Sequence, residues 1–149
     1  MHLKGTNSIG KIMAKIFDKI PQKRYYNFML RSEDIIVKEE KFYLQKIGIN
    51  GFILHTPGHT SGSLSLILEN EKAFVGDLIM NLPFSSLKPL FAENLRQLYQ
   101  SWNKILSYKI KILYPAHGKF VSIERFKKFA YKFLNNLKKL KSNLEIENY

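Results

Sequence analysis

The stretch His55 to Leu68, HTPGHTSGSLSLIL, constrains the chain more than any other. Proline fixes φ and glycine admits conformations other residues resist, so Pro57 and Gly58 force a sharp bend just before the apolar alternation SLSLIL. The same design recurs twice. AFVGD ends in Asp77 and ILYPAHG in His117, each an apolar strand that stops at a ligand-type side chain beside a bending residue. Three strand ends of this kind can aim His59, Asp77 and His117 at a common edge.

The rest of the pattern alternates short strands and helices. Ser8 precedes IGKIMAKIFDKI, where Ile9, Ile12, Met13, Ile16, Phe17 and Ile20 recur at helical spacing until Pro21 stops them. YYNFML, DIIV, KFYLQKI and GFIL read as small antiparallel strands. SLSLIL and KAFVGD flank ENE as a hairpin. Leu95, Leu98, Trp102, Ile105 and Leu106 trace one helical face before IKILYPAHG returns as a strand. Ser122 is placed to cap a long final helix whose stripe is Phe126, Phe129, Phe133, Leu137, Leu140 and Leu144. The expectation is one α+β domain over residues 1–149.

Composition narrows the chemistry. The chain has no cysteine, which excludes disulfides and thiolate metal sites, so any metal must be held by His, Asp or Glu. No apolar run reaches membrane-span length and the first residues lack a signal-type core, so no membrane association and a cytoplasmic location are expected. Lys and Arg number 24 against 12 Asp and Glu, for a net charge of +12. The basic residues are spread along the chain without interleaved aromatics, which reads as a solvated surface more readily than a nucleic-acid face.

Two histidines and one aspartate suit zinc or another borderline divalent ion, and three protein ligands plus water describe a catalytic site better than a structural one. Taken singly, each residue also reads as an ordinary turn position. Taken together, HTPGHTSGSLSLIL, then FVGD, then PAHG closely resemble the second half of the metallo-β-lactamase superfamily, which includes glyoxalase II. The resemblance implies a partial αββα sandwich, with a metal site for zinc, iron or manganese at the edge shared by two sheets. It assigns His59 to the ligand of the T-P-G-H-T element, Asp77 to the metal-bridging carboxylate and His117 to the late histidine, where Ala116 replaces the commoner glycine. His55 matches a histidine outside the ligand set.

The family's H-x-H-x-D-H element is absent; the only histidine before His55 is His2. The first sheet is therefore expected to be largely missing, which leaves an incomplete metal site and an uncovered apolar face. A truncated metal-dependent hydrolase of ester, thioester, lactam or phosphoester class follows, with weak or absent metal in the isolated chain. The alternative is a non-catalytic half-domain that assembles with a complementary chain or with itself. A nucleic-acid processing role ranks last.

Overall fold

In the computed structural model the described residues are 4–17, 31–32, 34–37, 40–83 and 86–146. The elements are β1 (Lys4–Gly5), α1 (Ser8–Phe17), β2 (Lys41–Tyr43), a 3-10 turn (Gln45–Ile47), β3 (Gly51–His55), β4 (Leu64–Leu68), β5 (Lys72–Gly76), β6 (Phe91–Ala92), α2 (Leu95–Leu106), β7 (Ile112–Pro115), β8 (Val121–Ser122) and α3 (Ile123–Ile146). A six-stranded sheet runs in the order β2-β3-β4-β5-β7-β8, and β1 pairs with β6 in a separate two-stranded ribbon. All neighbours in the large sheet are antiparallel except β5 and β7. That parallel pair needs a crossover, and α2 supplies it. The result is the α+β arrangement expected from the sequence.

Strand alternation divides the sheet into two apolar faces. On one face Leu54, Ile67, Ala73, Val75, Leu113 and Val121 form a single core with Leu98, Trp102 and Ile105 of α2 and Ile123, Phe126 and Ala130 of α3. Ser122 accepts a hydrogen bond from the Arg125 N–H at 3.3 Å, so the capping reading at the start of α3 holds. On the opposite face Phe42, Ile53, Leu66, Phe74 and Tyr114 lie directly across from one another, strand to strand. Phe74 stacks on Tyr114 at 4.9 Å, yet Phe74 is 45% exposed and the neighbouring Phe120 63%. The second apolar face is thus only partly covered.

Several local expectations come out differently. DIIV adopts no regular structure, and Ile35 and Ile36 are exposed. KFYLQKI is a strand only as far as Tyr43; Gly48, at φ +77°, closes its second half into the 3-10 turn. Helix α1 forms as expected, but Ile9 and Ile12 are exposed, and it is Gly10 that lies against the Leu90 backbone. YYNFML, Ile20 and Pro21 lie outside the described residues, as do the side chains of Leu137, Leu140 and Leu144. No described helix is long and apolar enough to cross a membrane.

The turn between β4 and β5 is pinned by charge. Glu71, at φ +64°, holds Lys109 Nζ at 3.2 Å and Lys111 Nζ at 2.5 Å. Hydrogen bonds from Lys111 and Lys109 keep its carboxyl below the usual glutamate range. A carboxyl depressed on folding contributes stability above the unfolded-state value and loses it as pH falls through the folded value. Urea unfolding of Glu71→Gln should therefore show its deficit against wild type at neutral pH. That deficit should close well below the reference glutamate value of about 4.3.

Candidate metal centre

The bend between β3 and β4 is built to hold His59 in place. The Thr56 N–H donates to the Ser63 carbonyl at 2.9 Å and the Gly58 N–H to that of Thr60 at 3.0 Å. Buried Thr56 and Ser65 share a hydroxyl hydrogen bond of 2.8 Å. The loop then docks on the start of α2. Asn94 donates its N–H to the Gly58 carbonyl at 3.0 Å, and its side chain caps α2 by accepting from the Gln97 N–H at 3.1 Å. Ser101 Oγ donates to the Pro57 carbonyl at 2.7 Å. Gly58 is the contact point, at φ +138° and with no room for a Cβ against the Leu98 backbone.

Asp77 leaves β5 where the ladder shifts register between Phe74 and Gly76, and Gly76 takes φ +54°. The next residue is anchored from below, since Trp102 Nε1 donates to the Leu78 carbonyl at 2.9 Å. His117 follows Pro115 at the end of β7. Its carbonyl accepts from the Asn81 N–H at 2.9 Å, and Gly118, at φ +92°, passes tightly by the Asn81 backbone. The three strand ends meet at one edge of the sheet. His59 Nε2 lies 3.7 Å from Asp77 Oδ2, and His117 Nε2 lies 3.5 Å from Asp77 Oδ1.

Hydrogen bonding decides what these groups present to one another. His59 Nδ1 is 2.9 Å from the Phe91 carbonyl, which can only accept, so the ring hydrogen sits on Nδ1. In the neutral imidazole the Nε2 lone pair then faces a carboxylate oxygen. Asp77 Oδ1 is buried and accepts no hydrogen bond, although His117 Nε2 lies 3.5 Å away. Acceptors turned toward each other with a buried oxygen unsatisfied are costly unless a cation or proton lies between them. The donor types suit a divalent ion, and a carbonyl holding the far nitrogen of a histidine is the usual support for a histidine ligand. As it stands, no group of three or more described His, Asp or Glu side chains closes into a metal-binding shell.

Other nearby polar residues are occupied structurally. His55 Nε2 lies 2.8 Å from the Ser61 carbonyl, which ties the His55 ring to the loop. Ser63 Oγ accepts the Thr60 N–H at 3.1 Å. Glu93 accepts the Ser61 N–H at 2.6 Å. Two supporting groups, the Phe91 carbonyl and the Asn94 cap, escaped the sequence reading. Asn94 just ahead of the periodic run from Leu95 is a capping signal that could have been noticed; a backbone carbonyl leaves none.

No family model matches the chain. Among curated proteins it is 26% identical to a lactamase-like protein of Pestalotiopsis microspora, over 73% of this chain and 32% of that one. It is 31% identical to a beta-lactamase-like protein 2 homolog of Drosophila melanogaster, over 50% of this chain and 24% of that one. Among solved structures, an archaeal metallo-β-lactamase superfamily protein from Sulfolobus tokodaii superposes with a TM-score of 0.50 at 22% identity, covering 64% of this chain and 37% of its own. The DIM-1 metallo-β-lactamase gives 0.51 at 22% identity, covering 64% and 47%. The chain spans about a quarter to a third of the curated relatives it matches. Its fold is that of part of these metallo-β-lactamase structures.

Proposed function

We propose that this chain is the C-terminal, ligand-bearing portion of a metal-dependent hydrolase, in which His59, Asp77 and His117 hold a divalent cation, zinc first among iron and manganese. The observation that carries this reading is the Asp77 carboxylate, whose Oδ2 faces the His59 Nε2 lone pair while its buried Oδ1, on the His117 side, accepts no hydrogen bond. A bound divalent ion acidifies water and so supplies hydroxide near neutral pH. The chain's own part is positioning. Phe91 fixes the His59 tautomer, the turn after β5 presents both Asp77 oxygens, and the bend after β7 brings His117, whose side chain is 58% exposed, to the open side.

Three donors are too few for two ions, and H-x-H-x-D-H is not in the sequence, so the isolated chain should hold metal weakly and turn over little. The row Phe42, Ile53, Leu66, Phe74 and Tyr114 supports a second element of the proposal. A complementary polypeptide, or another copy, packs on that face and completes the site. Substrates of the ester, thioester, lactam or phosphoester class would enter from the exposed His117 side.

Calorimetric titration with Zn²⁺ tests the site. Wild type is expected to take up one ion, and Asp77→Asn, which keeps the shape and removes the charge, should weaken uptake by about 100-fold or more. Unchanged zinc affinity in Asp77→Asn removes the proposed ligand set. Stoichiometric tight metal, with esterase turnover lost in His59→Gln, would overturn the expectation of inactivity.

A further inference from the structure

At the end of the sheet away from Asp77, three rings surround an ammonium. Lys41 Nζ lies 3.9 Å from the ring centre of Phe52, 4.7 Å from Tyr43 and 5.3 Å from Tyr108. The rings are tilted for this, with Tyr43 and Phe52 at 54° and Phe52 and Tyr108 at 50°. No described carboxylate pairs with Lys41, so the π faces are what its charge meets. Lys41 and Tyr43 are on β2, an edge strand, and their register partners Leu54 and Phe52 place both on the helix-bearing face.

Phe52 and Tyr108 serve twice. They also line an open cavity of about 460 Å³, together with Ile67, Leu68 and Glu69. That volume is in the range of small-molecule sites, and Phe52, Ile67, Leu68 and Tyr108 share the lining with Asn70 and charged groups. The charged lining residues are Glu69, Glu71 and Lys109. Tyr108 follows directly on the C-terminus of α2, the negative end of that helix. Glu71 in the lining is already matched by Lys109 and Lys111, whereas no described cation pairs with Glu69.

We infer that this cavity binds a small organic cation with a methylated ammonium group, seated on Phe52 and Tyr108 in competition with the Lys41 side chain. Lys41 shows that the rings hold a positive charge, and its flexible stem lets it swing into solvent when a better-fitting cation arrives. A quaternary ammonium, more weakly hydrated than a lysine, gives up less on leaving water. Because these residues are distant from Asp77, the inference stands apart from the metal reading.

Ring-proton NMR during titration with choline tests it, with the neutral isostere 3,3-dimethylbutanol as control. Choline should shift the Phe52 and Tyr108 resonances and bind at least about tenfold tighter than the isostere. Phe52→Leu, which keeps the apolar volume, should abolish that preference. Lys41→Met, which keeps the stem and removes the competitor, should tighten choline binding several-fold. Phosphatidylcholine vesicles identify the source: choline binding without vesicle retention assigns free cations, and retention lost in Phe52→Leu assigns a lipid headgroup. Equal affinity for choline and the isostere overturns the inference, as does a Lys41→Met variant that binds choline no better than wild type.

Discussion

Trp102→Ala is expected to cost about 3–5 kcal/mol, most of the net stability of a domain this size. Trp102 is fully buried. Its ring meets Tyr99 at 5.0 Å, Phe129 at 5.4 Å, Phe126 at 5.8 Å and Phe133 at 6.2 Å, so it joins α2 to three rings of α3. Truncation opens a cavity that aromatic neighbours on two helices cannot collapse together to fill. It also leaves the Leu78 carbonyl, one residue beyond Asp77, without its donor. Trp102→Phe separates the two effects. It retains much of the ring volume and loses the N–H, so its deficit should be about 1–3 kcal/mol. Urea unfolding measures both, and a Trp102→Ala deficit under about 1.5 kcal/mol would show that the core is organised around something else.

The elements that were legible in the sequence are those whose apolar period meets a partner nearby. Leu98, Trp102 and Ile105 fall on one helical face and are all fully buried, and the alternation in SLSLIL puts Ser65 and Ile67 on the core side of β4. Periodicity reports amphipathic character, however, and not which surface is covered. Helix α1 has the right period, but its close contact is made by Gly10 against the Leu90 backbone while Ile9 and Ile12 face outward. DIIV has a strand's composition and no strand beside it among the described residues. The two-residue pairing of β1 with β6 joins positions more than eighty residues apart and leaves no local pattern at all.

The candidate site was legible for a different reason. Bends made by proline and glycine at strand ends are local, so HTPGH, VGD and PAHG each announced a side chain leaving a strand. That these three ends meet was available only from the order of the motifs and the family they resemble. What orients the groups was not available, because the Phe91 carbonyl that sets the His59 tautomer lies 32 residues away in sequence.

Gly58→Ala should uncouple the two layers of this site. At φ +138° the position is nearly closed to side chains, and an added methyl would overlap the backbone nitrogen and Cα of Leu98. Backbone cannot rotate aside as a side chain can, so either α2 shifts or the loop lifts away. Lifting breaks the paired hydrogen bonds from Asn94 to the Gly58 carbonyl and from Glu93 to the His59 carbonyl, and His59 moves with them. Strain and overpacking together predict a loss of about 2–5 kcal/mol. In the folded fraction, the His59 ring resonances should respond less to zinc. Gly62→Ala is the control, four residues on in the same loop with open space around it and an ordinary φ, and should stay within about 0.5 kcal/mol of wild type. If the two variants unfold alike in urea, contact with α2 is not what shapes the loop, and the placement of His59 must be set by β3 and β4 alone.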